Sequence, residues 1–146
     1  MTPTDTPANT ISPQEQRDGW HLLFDGHSLN GWHAYQHPDR LPLGWIVNMG
    51  ILCNVNPSGD LVTGDTYGDF ELTFEWKVGP AGEGGVFFRV DESRPRPWQS
   101  GQEMQILDNE FSAKRGNSKT RAGACYGLFG NSRNPDRQVG DWNKSK

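Results

Sequence analysis

The sequence predicts an all-β sandwich or jelly roll. Three observations carry that prediction: 18 Gly and 10 Pro punctuate 146 residues, short apolar runs recur between them at strand length, and no helical pattern outlasts two turns. The first eleven residues are rich in Thr, Pro, Asn and Asp and are expected to be disordered. Ser12-Pro13-Gln14-Glu15 then reads as a helix start. Ser12 can cap, Pro13 suits the first helical position, and Glu15 falls three residues after the cap, which predicts one or two turns to about Asp18, stopped by Gly19. The expected organisation is a tail with a short capped helix over 1–18 and a jelly-roll domain over 19–146.

Strands follow in order. Residues 20–24 read as a strand ended by Asp25-Gly26, and 45–47 and 51–55 flank Asn48-Met49-Gly50 as a hairpin turn. Residues 60–63 form a short strand. The clearest strand is 70–78, with Leu72, Phe74, Trp76 and Val78 on one face and Glu71, Thr73, Glu75 and Lys77 on the other. The glycine-rich run 79–85 is expected to turn rather than to hold a strand, leading into a strand over 86–91. A Pro/Arg loop over 93–100 precedes a strand at 103–108, and 122–129 is the last full strand. Gly140-Asp141-Trp142-Asn143 reads as the entry to a further strand, so a sandwich incomplete at its C-terminus is expected.

Composition narrows the functions. A net charge of −4 and a pI near 5.5 argue against a nucleic-acid partner, which needs a clustered basic face. The one basic-leaning stretch, 114–121, also holds Gly116, Asn117 and Ser118 and reads as a loop. Six Trp and an aromatic share of 11% suit either a core of large rings or a sugar-stacking surface. No membrane-spanning run and no signal-peptide pattern is present in the sequence, and the oligomeric state is not readable. Cys53 and Cys125 sit in apolar strand-like contexts and read as free buried thiols. No Cys-x-x-Cys, His-Glu-x-x-His or acidic calcium loop occurs, and His21, His27, His33 and His37 are irregularly spaced, so no metal cluster has local support.

Two runs carry the functional signal. In Val86-Phe87-Phe88-Arg89-Val90, alternation puts Phe87 and Arg89 on one face; in Glu103-Met104-Gln105-Ile106-Leu107-Asp108-Asn109 it groups Glu103, Gln105 and Leu107 against Met104, Ile106 and Asp108. The expectation is a sheet with an apolar back and a polar front shaped as a binding cleft, or else a solvent face with one salt bridge.

Seven segments in order resemble the bacterial 3-keto-disaccharide hydrolase domain family, a concanavalin A-like jelly roll. They are Leu23-Phe24-Asp25-Gly26 with Leu29-Asn30-Gly31-Trp32, Gly59-Asp60-Leu61-Val62-Thr63, Tyr67-Gly68-Asp69-Phe70-Glu71-Leu72, Gly85-Val86-Phe87-Phe88-Arg89, Gly101-Gln102-Glu103-Met104-Gln105-Ile106-Leu107-Asp108-Asn109, Ala122-Gly123-Ala124-Cys125-Tyr126 and Gly140-Asp141-Trp142-Asn143. The chain departs from the family in two places. Glu83-Gly84-Gly85 stands where members usually show Asn-Ser-Gly, and members continue past the Trp-Asn pair through further strands. The resemblance implies a carbohydrate substrate, a bacterial source and a periplasmic or extracellular setting.

It also implies cleavage of glycosides already oxidised to a ketone at C3. The ketone acidifies the C2 hydrogen, a base removes it, the C1 substituent leaves, and water adds back. That route needs a base near C2, a cation or donor at the C3 oxygen and an acid near the leaving oxygen. It needs no nicotinamide and no cofactor is predicted, with a divalent metal left open. Glu103, mid-strand among apolar neighbours that would raise its pKa, is the candidate base. Arg89 would stabilise the enolate oxygen or serve as a structural partner of Glu103. Gln105 would orient a sugar hydroxyl or act as a cross-strand amide. Asp60 is either a second carboxylate or a turn cap, and Trp98 either stacks on a sugar ring or anchors its loop. Asp108 is a further substrate-binding candidate. With Glu103 it would form the pair of a conventional glycosidase, but their offset of five puts them on opposite faces unless a bulge intervenes. A non-catalytic carbohydrate-binding module is the alternative on the same fold.

Overall fold

The structure is a computed structural model and describes residues 7–56, 59–110, 117–131 and 138–146. It is mostly strand and loop with little helix. One short helix, α1 (Pro13–Arg17), precedes β1 (Trp32–Ala34), β2 (Trp45–Asn48), β3 (Ile51–Asn54), β4 (Leu61–Thr63), β5 (Phe74–Trp76), β6 (Glu83–Phe88), β7 (Gln102–Leu107) and β8 (Asn143–Ser145). Every ladder is antiparallel: β1 with β4, β2 with β3, β5 with β8 and β6 with β7. The chain divides into two compact units, Met1–Gly68 and Asp69–Lys146. Each repeats one pattern, an outer strand pair whose connection contains an inner hairpin. Among the described residues no helix is long and apolar enough to cross a membrane.

In the first unit α1 is capped as its sequence predicts. The Glu15 amide donates to Ser12 Oγ at 3.2 Å and the Ser12 amide to the Glu15 carboxylate at 2.7 Å. The tail is better held than its composition suggests. Asn9 Nδ2 donates to the Gly50 carbonyl at 2.7 Å, and a Cβ on Gly26 would come within 2.9 Å of that same nitrogen. The expectation of disorder is therefore corrected at Asn9; residues 1–6 lie outside the described residues. The β2–β3 hairpin turns at Met49 (φ +48) and Gly50 (φ +76), the two successive left-handed residues of a type I′ turn, which matches the twist of the flanking strands. Residues 20–24 are not a strand. Their polar groups serve the loop instead, with the Leu23 carbonyl accepting from Trp32 Nε1 at 2.6 Å. Asp25 closes the next turn by accepting from the amides of His27 and Ser28 at 2.7 Å each. Those bonds hold its carboxyl down to about 2 from an ordinary 3.8.

In the second unit regular pairing covers Phe74–Trp76 of the expected 70–78, yet the alternation holds throughout: Leu72, Phe74, Trp76 and Val78 are buried or half-buried, and Glu71, Thr73, Glu75 and Lys77 are exposed. The entry expected at 140–143 becomes β8, where Asn143 pairs with Trp76 and Ser145 Oγ lies 3.0 Å from Trp76 Nε1. Trp76, Leu107 and Ala122 form the core, with Phe74, Val78, Met104 and Ile106 packed against it.

Two expected boundaries move. β6 begins at Glu83, inside the glycine-rich run, because Gly84 and Gly85 pair with Ile106 and Gln105; only 79–82 turns, with Ala81 at φ +57. Residues 122–129 make isolated bridges at Cys125 rather than a strand. Gly123 (φ +78) and Gly127 (φ +72) take left-handed conformations that bend the segment out of extended geometry. Of the loop expected at 114–121, residues 114–116 lie outside the described residues, and Ser118–Thr120 forms a 3-10 turn.

Candidate active site

β7 is the middle lane of three. On one edge it pairs residue for residue with β6, from Glu83↔Leu107 through Gly85↔Gln105 to Phe87↔Glu103 and Phe88↔Gln102. On the other edge Gln105 donates to Ala124 and accepts from Gly123 at 3.0 and 2.8 Å, while the Glu103 carbonyl accepts from the Tyr126 amide at 2.8 Å. The main-chain groups of Glu103 and Gln105 thus face the 122–126 segment, so their pairs with Phe87 and Gly85 are of the non-hydrogen-bonded kind that brings facing side chains closest.

This register assembles one face, with Phe87 opposite Glu103 and Gly85 opposite Gln105. Gly85 has a specific part in it. A Cβ there would overlap Glu103 Oε1 and lie 2.7 Å from its Cγ and 2.9 Å from its Cδ. The Glu103 side chain therefore lies across the bare Cα of Gly85. Gln105 is 2% exposed and Leu107 3%, whereas Val86, Phe88, Met104 and Ile106 on the opposite face are half-buried. Glu83 and Gly85 on the same face as Glu103 are exposed, and Met104 and Ile106 on the opposite face pack against the Trp76, Leu107 and Ala122 core, so burial is deep only at the Gln105–Leu107 end of the Glu103 face. Buried amides need partners, and among the described residues no buried side-chain nitrogen or oxygen lacks one.

Arg89 is elsewhere. β6 ends at Phe88, and Arg89 takes φ +58, so the alternation that predicted a face shared with Phe87 stops one residue short of it. Its guanidinium is 60% exposed and pairs at 3.2 Å with Asp69, which is fully exposed. Asp69, Phe70, Phe88 and Arg89 line an open depression of about 350 Å³.

Asp108 is 2% exposed, and both its oxygens are occupied: Oδ2 accepts from the Ala81 amide and Oδ1 from the Glu110 amide, each at 2.9 Å. It pins the 79–82 turn to the end of β7. The ladder from Glu83 to Phe88 has no bulge, so nothing turns Asp108 toward Glu103. Asp60 belongs to the first unit, where its carbonyl accepts from the Tyr35 amide at 3.0 Å and its side chain is exposed. Trp98 stands 63% exposed in a 3-10 turn, outside any core, with the Arg96 guanidinium 5.6 Å from its ring centre. Both cysteines are free, and the described residues contain no cluster of three His, Cys, Asp or Glu placed to hold a metal ion.

Three residues of these surroundings carry no assignment from sequence alone. Gly85 and Tyr126 gain theirs from the register across β7, and Asp69 from its pairing with Arg89. Each lies in a quoted segment, but pairing partners twenty residues apart are not visible in local alternation.

The chain resembles known proteins across this region. A 3-keto-disaccharide hydrolase of Bacteroides thetaiotaomicron is 30% identical over 151 residues, an alignment covering 88% of this chain and 52% of that protein. The chain therefore spans about half the length of that curated relative. A crystal structure from Parabacteroides distasonis ATCC 8503, of a protein provisionally described as a glycosyl hydrolase, superposes with a TM-score of 0.82 at 26% identity, over 93% of this chain and 66% of that one. Residues 19–146 match the 3-keto-alpha-glucoside-1,2-lyase-like domain, and the chain belongs to that family.

Proposed function

We propose that this chain acts on 3-keto-glycosides by removal of the C2 proton, elimination of the C1 substituent and hydration of the resulting enone. The observation that supports this most is the placement of Glu103, a half-buried carboxylate held mid-strand against Gly85 and Phe87 in a chain of this family. A base must lie within reach of the proton it removes, and the ladder fixes where this carboxylate stands. Gln105, 2% exposed and one row along the ladder from Glu103, takes the role of a cross-strand amide in this reading. Arg89 receives no step in this reading, because it follows the end of β6 with an exposed guanidinium paired with Asp69. The nested strand pairing in both units supports a jelly roll as the complete architecture, with 19–146 as its domain. A carbohydrate substrate, a periplasmic or extracellular setting and a step free of nicotinamide complete the reading.

The test is substrate selectivity with an isotope readout. A 3-keto-glucoside is expected to be cleaved and the unoxidised glucoside left intact, since only the ketone makes the C2 hydrogen removable. In deuterated water the released sugar is expected to carry label at C2. Cleavage without label would mean direct displacement at C1 and would reject the elimination route.

A further inference from the structure

The elimination just proposed requires a proton donor at the departing glycosidic oxygen, and the following inference rests on that reading. Glu103 cannot be that donor at the moment it accepts the C2 proton. A second titratable side chain must reach the same bond from the same face.

The register across β7 supplies one. Met104 bridges Cys125, and this bridge is flanked by the hydrogen bonds Tyr126 N–H to Glu103 C=O and Gln105 N–H to Ala124 C=O. In that antiparallel arrangement Tyr126 is the lateral neighbour of Glu103, as Phe87 is on the opposite edge. Lateral neighbours have Cβ atoms about 4.5–5.5 Å apart. The next row, Gly85, Gln105 and Ala124, has small residues on either side of Gln105. Glu103 is thus flanked by two rings beside a row of low relief. Tyr126 is 45% exposed. The other carboxylate on this face, Glu83, pairs with Leu107, four residues along the strand and so about 13 Å from the Glu103 row at the usual rise. That is too far to serve the same bond.

We propose that Tyr126 is the proton donor to the departing glycosidic oxygen. The proton balance closes without a further reactant. Glu103 takes the C2 proton, the C2–H electron pair becomes the C1=C2 bond, and the C1–O pair leaves with oxygen, which takes the phenolic proton of Tyr126. Water then adds at C1 and gives its proton to the phenolate, while the Glu103 carboxyl group, after exchanging its proton with solvent, returns one to C2. Both side chains return to their starting states, and the net change is hydrolysis.

Leaving-group dependence tests this. A nitrophenolate departs without protonation, whereas a sugar alkoxide does not. Tyr126→Phe keeps the ring and removes only the hydroxyl. Its loss of turnover on a 3-keto-disaccharide is expected to exceed its loss on a 3-keto nitrophenyl glucoside by about 10²-fold, the usual share of a general acid. Equal losses on the two substrates, or no loss on either, would overturn the assignment. Cleavage of neither substrate by the wild-type chain would instead reject the hydrolase reading and the assignment with it. A measurement independent of turnover checks the juxtaposition: Glu103→Gln is expected to move the side-chain NMR resonances of Tyr126, and resonances that stay in place would also overturn the proposal.

Discussion

The Glu103 face and the Arg89 depression both adjoin β6, yet they are built differently. Glu103 lies inside a ladder, with β6 on one edge and the 122–126 segment on the other. Its side chain crosses Gly85, where no Cβ interferes. Arg89 lies just past the end of β6 with a left-handed backbone, and its charge is met by an exposed Asp69. The first arrangement places a carboxylate by backbone pairing on both edges of its strand. The second holds a cation by an ion pair that water and salt weaken. Preorganisation of reacting groups depends on the first kind of support.

The contrast can be challenged most strongly at two further carboxylates, one buried at the end of β7 and one in the Arg89 depression. Asp108 accepts two backbone amides while buried, and Asp69 only pairs with Arg89 at the surface. Asp108→Ala is expected to cost about 2–3 kcal/mol in urea unfolding, the range for charge-assisted hydrogen bonds lost from a buried site. Asp69→Ala is expected to leave the midpoint where it was. Equal effects would mean that the exposed pair is held as firmly as the buried one.

A smaller effect on stability, but a sharper one on the site, is expected at Gly85. The atoms a new Cβ would meet belong to the flexible end of Glu103, so Gly85→Ala should displace the carboxylate rather than the strand. Its stability is expected to stay within about 1 kcal/mol of the parent. Turnover of a 3-keto-glucoside is expected to fall at least about tenfold, because small displacements of a catalytic group are costly. A large stability loss with unchanged turnover would place Gly85 in the fold alone.

Much of this arrangement was legible in local sequence. The Ser12–Glu15 capping box, the Asn48-Met49-Gly50 hairpin and the alternation from Leu72 to Val78 depend on neighbours a few residues apart, and each is present. Alternation also groups Glu103 with Gln105 correctly. What local pattern cannot show is where a strand stops. Gly84 and Gly85 read as turn residues, but their partners Ile106 and Gln105 on β7 hold them extended. Arg89 reads as the next residue on a face, but one left-handed φ takes it out of the ladder. The segment at 122–129 has strand composition, and its glycines bend it. Asp108 fits a polar-cleft pattern and instead serves a turn twenty-seven residues away.

The most direct measurement compares Glu103→Gln with Arg89→Met for turnover of a 3-keto-glucoside, with the fold of each variant confirmed by its melting curve. Glu103→Gln is expected to lower turnover by about 10²–10⁴, the share of a general base, and Arg89→Met to lower it by less than about tenfold. Full activity in the Glu103 variant, or an equal collapse in the Arg89 variant, would contradict the assignment of the chemistry to the Glu103 face.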